Sequence, residues 1–101
     1  MTDVHAVAPD LPIDLSVVAG YWSADLFIAA VKRAGKNLTV AGLLKGANKG
    51  FTYTVPSTVG PTNFPAAHNE PTPCGSLVRS DGSAYTALVP YTCGKVVKVT
   101  Q

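Results

Sequence analysis

Between Tyr21 and Ala34, apolar side chains return every three or four positions. Ala24, Phe27, Ile28 and Val31 fall at i, i+3, i+4 and i+7, the stripe of an amphipathic helix. Asp25 lies early in this segment, and Lys32 and Arg33 lie late, as a helix dipole favours. Gly35 stands where a C′ glycine ends a helix. Leu26, Ala29 and Ala30 widen the apolar face until little polar surface remains, and such a helix is normally buried on more than one side. A second, weaker helix is predicted over 39–48, with Thr39 as its N-cap and Val40, Leu43, Leu44 and Ala47 in one stripe. Gly42 and Gly46 each cost this helix about 1 kcal/mol relative to Ala, so it needs a packing partner to persist. Gly50 closes it.

"FTYTV" (51–55) alternates and is rich in aromatic and β-branched residues, the pattern of a strand. The following "PSTVGPTNFPAAHNEPTP" carries too much proline and polar character to be regular throughout. "GSLVRS" and "SAYTALV" read as two strands around Asp81-Gly82, a two-residue hairpin signal, and "KVVKV" as a further strand. The first 15 residues hold Pro9 and Pro12 without a sustained period and read mostly as loop. "DLSVVAG" reads as a short strand or an extended approach to the first helix. The expected fold class is α/β. It has helices over about 21–34 and 39–48, a strand near 51–55, and a C-terminal antiparallel hairpin or meander over about 74–99. There is no internal repeat.

Composition narrows this picture. The 101 residues suffice for a single small domain, 1–101. Such a domain buries only roughly 60–65% of its unfolded surface. A hydrophobic content of 47% with 14% charged residues argues against disorder and for apolar surface that a monomer hides poorly. The net charge of +2 is too small to suggest nucleic acid. Lys32, Arg33 and Lys36 cluster, but at a helix C-terminus and without interleaved aromatics. No apolar run approaches the ~20 residues of a membrane span, so no span is expected. "MTDVHAVAPDLP" lacks the basic and apolar regions of a signal peptide. The chain is therefore expected to be cytosolic, or a mature or truncated piece of an exported protein.

Cys74 and Cys93 are the only cysteines, and each precedes a glycine. A two-residue loop at Asp81-Gly82 puts Cys74 opposite Val89. Cys93 then lies four residues further, about 13 Å along the strand at ~3.3 Å per residue. A disulfide needs Cα atoms within roughly 7 Å, so a straight hairpin fails to join them. Pro90 cannot donate to a central ladder, and a reversal within "PYTCG" brings Cys93 back towards Cys74. The bond so closed contributes about 3 kcal/mol in the chain-entropy model. Free thiols, a metal site and a redox pair remain the other readings. Zinc wants four ligands, and only His68 lies near Cys74; the C-x-x-C spacing of redox pairs is absent. A disulfide implies an exported protein.

No P-loop, G-x-S-x-G, H-E-x-x-H or dinucleotide fingerprint occurs, so no catalytic residue, cofactor or metal is expected. His68 and Glu70 read as a solvated loop pair. Asn37-Leu38-Thr39 matches the N-glycosylation pattern, but Thr39 is better used as a cap. Tyr21 and Trp22 open the long helix. They serve either as core aromatics or as the rim of a ligand cleft.

The stretches "GYWSADLFIAAVKRAGKNLTVAGLLKGANKGFTYTV" and "VGPTNFPAAHNEPTPCGSLVRSDGSAYTALVPYTCGKVVKV" resemble, in their order, the C-terminal third of a type I periplasmic solute-binding protein. The branch is the leucine/isoleucine/valine-binding type that serves ABC importers. The resemblance spans roughly residues 9–99. It implies a part of one lobe of a two-lobed α/β fold that holds a branched-chain amino acid or related solute in its cleft and hands it to an ABC permease. It also implies an extracytoplasmic location, a cleft-edge position for Tyr21 (with Trp22 beside it), and a structural disulfide for Cys74–Cys93. Most groups that grip the solute come from family segments without counterpart here. The isolated chain is thus expected to bind no solute tightly and to cover its apolar helix by homo-oligomerisation, a domain-swapped dimer being one route. The alternative is a free-standing oligomerising module with no small-molecule ligand.

Overall fold

The computed structural model describes residues 2–36, 38–66, 68–97 and 99. Three helices, α1 (Thr2–Val7), α2 (Leu15–Ala34) and α3 (Val40–Ala47), precede four strands, β1 (Phe51–Val55), β2 (Val59–Phe64), β3 (Cys74–Ser80) and β4 (Tyr85–Cys93). The strands form two separate antiparallel pairs, β1–β2 and β3–β4. The fold is mixed α/β, with the expected helix pair, strand and C-terminal hairpin.

The long helix starts six residues before the expected Tyr21. Asp14 is the reason: its extended backbone and a carboxylate that accepts from the Val17 N–H at 2.9 Å cap the first turn. "DLSVVAG" is therefore helical, and β-branched Val17 and Val18 yield to the cap and to packing. The resulting α2 has 20 residues and is long and apolar enough to cross a membrane by length and composition alone. None of its residues is fully buried. Residues 2–7, read as loop, form the short α1.

Helix α3 starts where expected, with the Thr39 hydroxyl accepting from the Gly42 N–H at 3.0 Å. Gly46 has a packing reason. A Cβ on Gly46 would stand 3.1–3.3 Å from the backbone of Arg33 and Ala34, so only glycine lets α3 cross the end of α2 this closely. Arg33 then caps the end of α3. Its guanidinium donates to the carbonyls of Gly46 (3.2 Å), Lys49 (2.8 Å) and Gly50 (3.4 Å) and lies 5.9 Å from the centre of the Phe51 ring.

Strand β1 alternates as its sequence predicts, with Phe51 and Tyr53 buried and Thr52 and Thr54 exposed. Those two aromatics are the buried apolar core among the described residues. Strand β2 lies inside the stretch read as irregular. Phe51 faces Phe64 in the ladder, and their rings stack at 5.7 Å. Pro61 is tolerated because β2 pairs along one edge only.

The C-terminal hairpin corrects the expected register. Ser80 pairs with Tyr85, so the loop holds four residues, not two. The Asp81 carboxylate holds it by accepting from the N–H groups of Ser83 (2.9 Å) and Ala84 (2.8 Å). These bonds draw the carboxyl pKa below its ordinary value. The loop supplies two of the four residues by which simple counting misplaced Cys93. The irregularities at Gly75/Leu77 and Leu77/Val78 supply one each. Cys74 thereby lies directly opposite Cys93 and is bonded to it. No reversal occurs at Pro90: β4 runs through it to Cys93, and the described residues of "KVVKV" form no strand.

The chain exposes 7932 Å², whereas a compact chain of its mass exposes about 5,400 Å². Its radius of gyration, 16.9 Å, likewise exceeds the about 13 Å of a compact 100-residue domain.

Candidate functional site

Between the inward side of β1 and the N-terminal half of α2 lie part-buried polar contacts. Alternation places Tyr53 towards α2, and a buried phenol needs a partner for its hydroxyl. Asp25 supplies one: the Tyr53 hydroxyl donates to its Oδ2 at 2.8 Å, and the Trp22 carbonyl lies 3.4 Å away. Burial, followed by the neighbouring carboxylate, pushes the Tyr53 pKa up to about 12. One turn earlier, Tyr21 donates to Asp3 Oδ2 of α1 at 2.8 Å. That bond to a carboxylate raises its pKa as well.

Tyr21 and Trp22 pack edge to face, centroids 4.8 Å apart, and both are half-buried. Trp22 lines a groove of about 180 Å³ together with Ser23, Leu26, Tyr53, Val59, Thr62 and Phe64. A second groove of about 240 Å³ shares Ser23, Leu26 and Phe64 and continues to Phe27, Ala47 and Phe51. Tyr21 lines neither. The Trp22 Nε1–H is buried and finds no acceptor among the described residues.

The structure thus brings Trp22 to a groove, turns the Tyr21 hydroxyl to α1, and adds Tyr53, Asp3 and Asp25, the last read from the sequence only as a helix-dipole residue. A signal for two of them was present. Asp25 interrupts an otherwise apolar face one turn from Tyr21, and the alternation of β1 points Tyr53 inward. Asp3 carried none, because α1 was read as loop.

Cys74 and Cys93 lie apart from this site and form the disulfide that closes β3–β4. The pair is joined to the rest of the chain at Gly60, against which the Cys74 side chain and the Tyr91 hydroxyl pack. His68 bonds locally, its Nδ1 lying 2.7 Å from the Pro65 carbonyl. Among the described residues no three His, Cys, Asp or Glu side chains gather as metal ligands do. Asn37 of the glycosylation pattern lies outside the described residues.

Chemically, the arrangement offers aromatic and aliphatic walls with a few hydroxyl groups, suited to enclosing one side of a small, partly apolar molecule. The chain matches no family model, no curated protein and no solved structure.

Proposed function

We propose that this chain is a non-catalytic part of a type I solute-binding protein, of the kind that delivers branched-chain amino acids or related small solutes to an ABC permease. The observation that carries the reading is the open groove between α2 and β1–β2. Trp22 and Leu26 from α2 and Tyr53 and Phe64 from β1–β2 together form an open apolar surface, the half of a cleft that this reading requires. The order of the sequence motifs and the Cys74–Cys93 disulfide, the mark of an oxidising compartment, support it. One wall leaves the charged ends of an amino acid in water, so the chain alone holds no solute tightly.

The test is reconstitution. Calorimetry of the isolated chain with leucine, isoleucine and valine gives no binding at micromolar concentration. Adding the complementary lobe encoded at the same locus restores it. A locus without importer permease genes and without such a lobe overturns the proposal. A second reading, a self-associating module with no small ligand, is favoured by the excess exposed surface. It predicts a stable oligomer and no response to any solute with or without added lobes.

A further inference from the structure

We propose that two copies of this chain pair antiparallel along α2, about a two-fold axis passing beside Ala24. The inference rests on exposed surface and charge and is independent of the solute-binding reading.

The surface in excess of a compact chain is about 2,500 Å². Obligate homodimers bury about 2,000–5,000 Å² in total, about 1,000–2,500 Å² per copy, so pairing takes up part of this excess. The uncovered face of α2 carries Gly20, Ala24, Phe27 and Ile28, one stripe at i, i+4, i+7 and i+8. Phe27 is 59% and Ile28 48% exposed, and a Cβ on Gly20 would meet nothing within 4 Å. Small residues at Gly20 and Ala24 let a second helix approach closely, and Phe27 and Ile28 supply the apolar contact. Asp25 is turned off this seam, since its carboxylate receives the Tyr53 hydroxyl.

Charge selects the partner and its direction. Asp10 and Asp14 precede α2 in the sequence, and Lys32 and Lys36 mark its end, whereas Asp3 and Arg33 are already engaged by Tyr21 and by the carbonyls after α3. Twenty residues separate these groups by about 30 Å, more than three screening lengths of about 8 Å. Parallel copies set like charges side by side. Antiparallel copies set acids against bases at both ends and oppose the helix dipoles. One surface that carries both halves is self-complementary, as a two-fold interface requires. Full overlap of Leu15–Ala34 puts Ala24 next to its own copy across the axis and Ile28 opposite Tyr21.

The experiment combines mass and cross-linking. Light scattering at micromolar concentration gives twice the 10.4 kDa of the monomer. After mild oxidation Ala24→Cys forms a covalent dimer. Ile28→Cys does not, because its copy lies seven residues away, about 10 Å along the axis and outside the roughly 7 Å a disulfide spans. Ile28→Glu weakens dimerisation at least ten-fold with unchanged far-UV circular dichroism, whereas Ser83→Glu, at the tip of β3–β4, leaves it unchanged. A monomeric mass overturns the proposal. So does equal cross-linking of both cysteine variants, which indicates parallel helices. A chain that is monomeric in buffer yet captured by phosphatidylcholine vesicles assigns the face to a bilayer and also overturns it.

Discussion

Gly60→Ala probes a place where the two β-hairpins meet closely. The added methyl carbon would stand 3.0 Å from Cys74 Cβ, 3.2 Å from the Tyr91 hydroxyl, and nearer still to the Cys74 sulfur. Ordinary carbon–carbon contact lies at about 3.5–4.0 Å, so the two hairpins must separate by about half an ångström or more. The sulfur cannot swing aside, because it is bonded to Cys93. Overpacking of this kind costs about 1–3 kcal/mol. In a domain of this size each kcal/mol lowers the Tm by about 4–8 °C, so thermal denaturation followed by circular dichroism should show a fall of about 4–24 °C. The cycle is completed in a Cys74→Gly/Cys93→Ala background, which removes the Cys74 atoms and leaves the Tyr91 hydroxyl, the end of a flexible side chain, as the remaining close neighbour. There Gly60→Ala costs nearly nothing, and restricting the unfolded chain even stabilises by about 0.4–1 kcal/mol. An equal loss in both backgrounds would refute the contact, since the coupling between the sites would then be zero.

Four further outcomes are expected. Because Tyr53 has a folded-state pKa of about 12 against an ordinary value near 10, the stability it supports is complete below pH 10. It is lost as pH rises through 12, and Tyr53→Phe flattens that part of a stability–pH profile, with Tyr21 contributing in the same direction. Arg33→Lys keeps the charge but loses the fork that reaches three carbonyls, and should cost about 1–2 kcal/mol by urea denaturation. Asp14→Ala removes the α2 cap and should cost about 1 kcal/mol, with lost ellipticity at 222 nm as the readout. Reduction of Cys74–Cys93, which closes a loop with sequence separation 19, should cost about 3 kcal/mol; an unchanged melt in dithiothreitol contradicts this.

What was legible in the sequence followed from local physics. The periodicity around Phe27 and Val31, the Thr39 cap, the glycine stops at Gly35 and Gly50, and the alternation of Phe51–Val55 each act within a few residues. What was missed depended on longer-range or less usual choices. Strand β2 was hidden because Ser57, not glycine or asparagine, takes the positive-φ position (φ 60°) of its turn, and because Pro61 argues against a strand. The start of α2 was hidden because Val17 and Val18 favour strands in isolation. The hairpin register required an Asp81-held loop and two irregularities, none of which simple counting includes. The same holds at the site. Tyr21 and Trp22 were visible as aromatics opening a helix, but the Asp25–Tyr53 bond joins residues 28 apart in sequence and forms only when β1 folds back on α2.

The bridge directly opposite itself at the base of β3–β4 also governs how this chain breaks. The exposed tip, 81–84, is the natural point for protease attack on an otherwise bonded hairpin. A cut there leaves both halves tied through Cys74 and Cys93, so the nicked molecule keeps its mass in a non-reducing gel and separates into two pieces only after reduction. Damage at the tip therefore stays silent until it meets a reducing compartment.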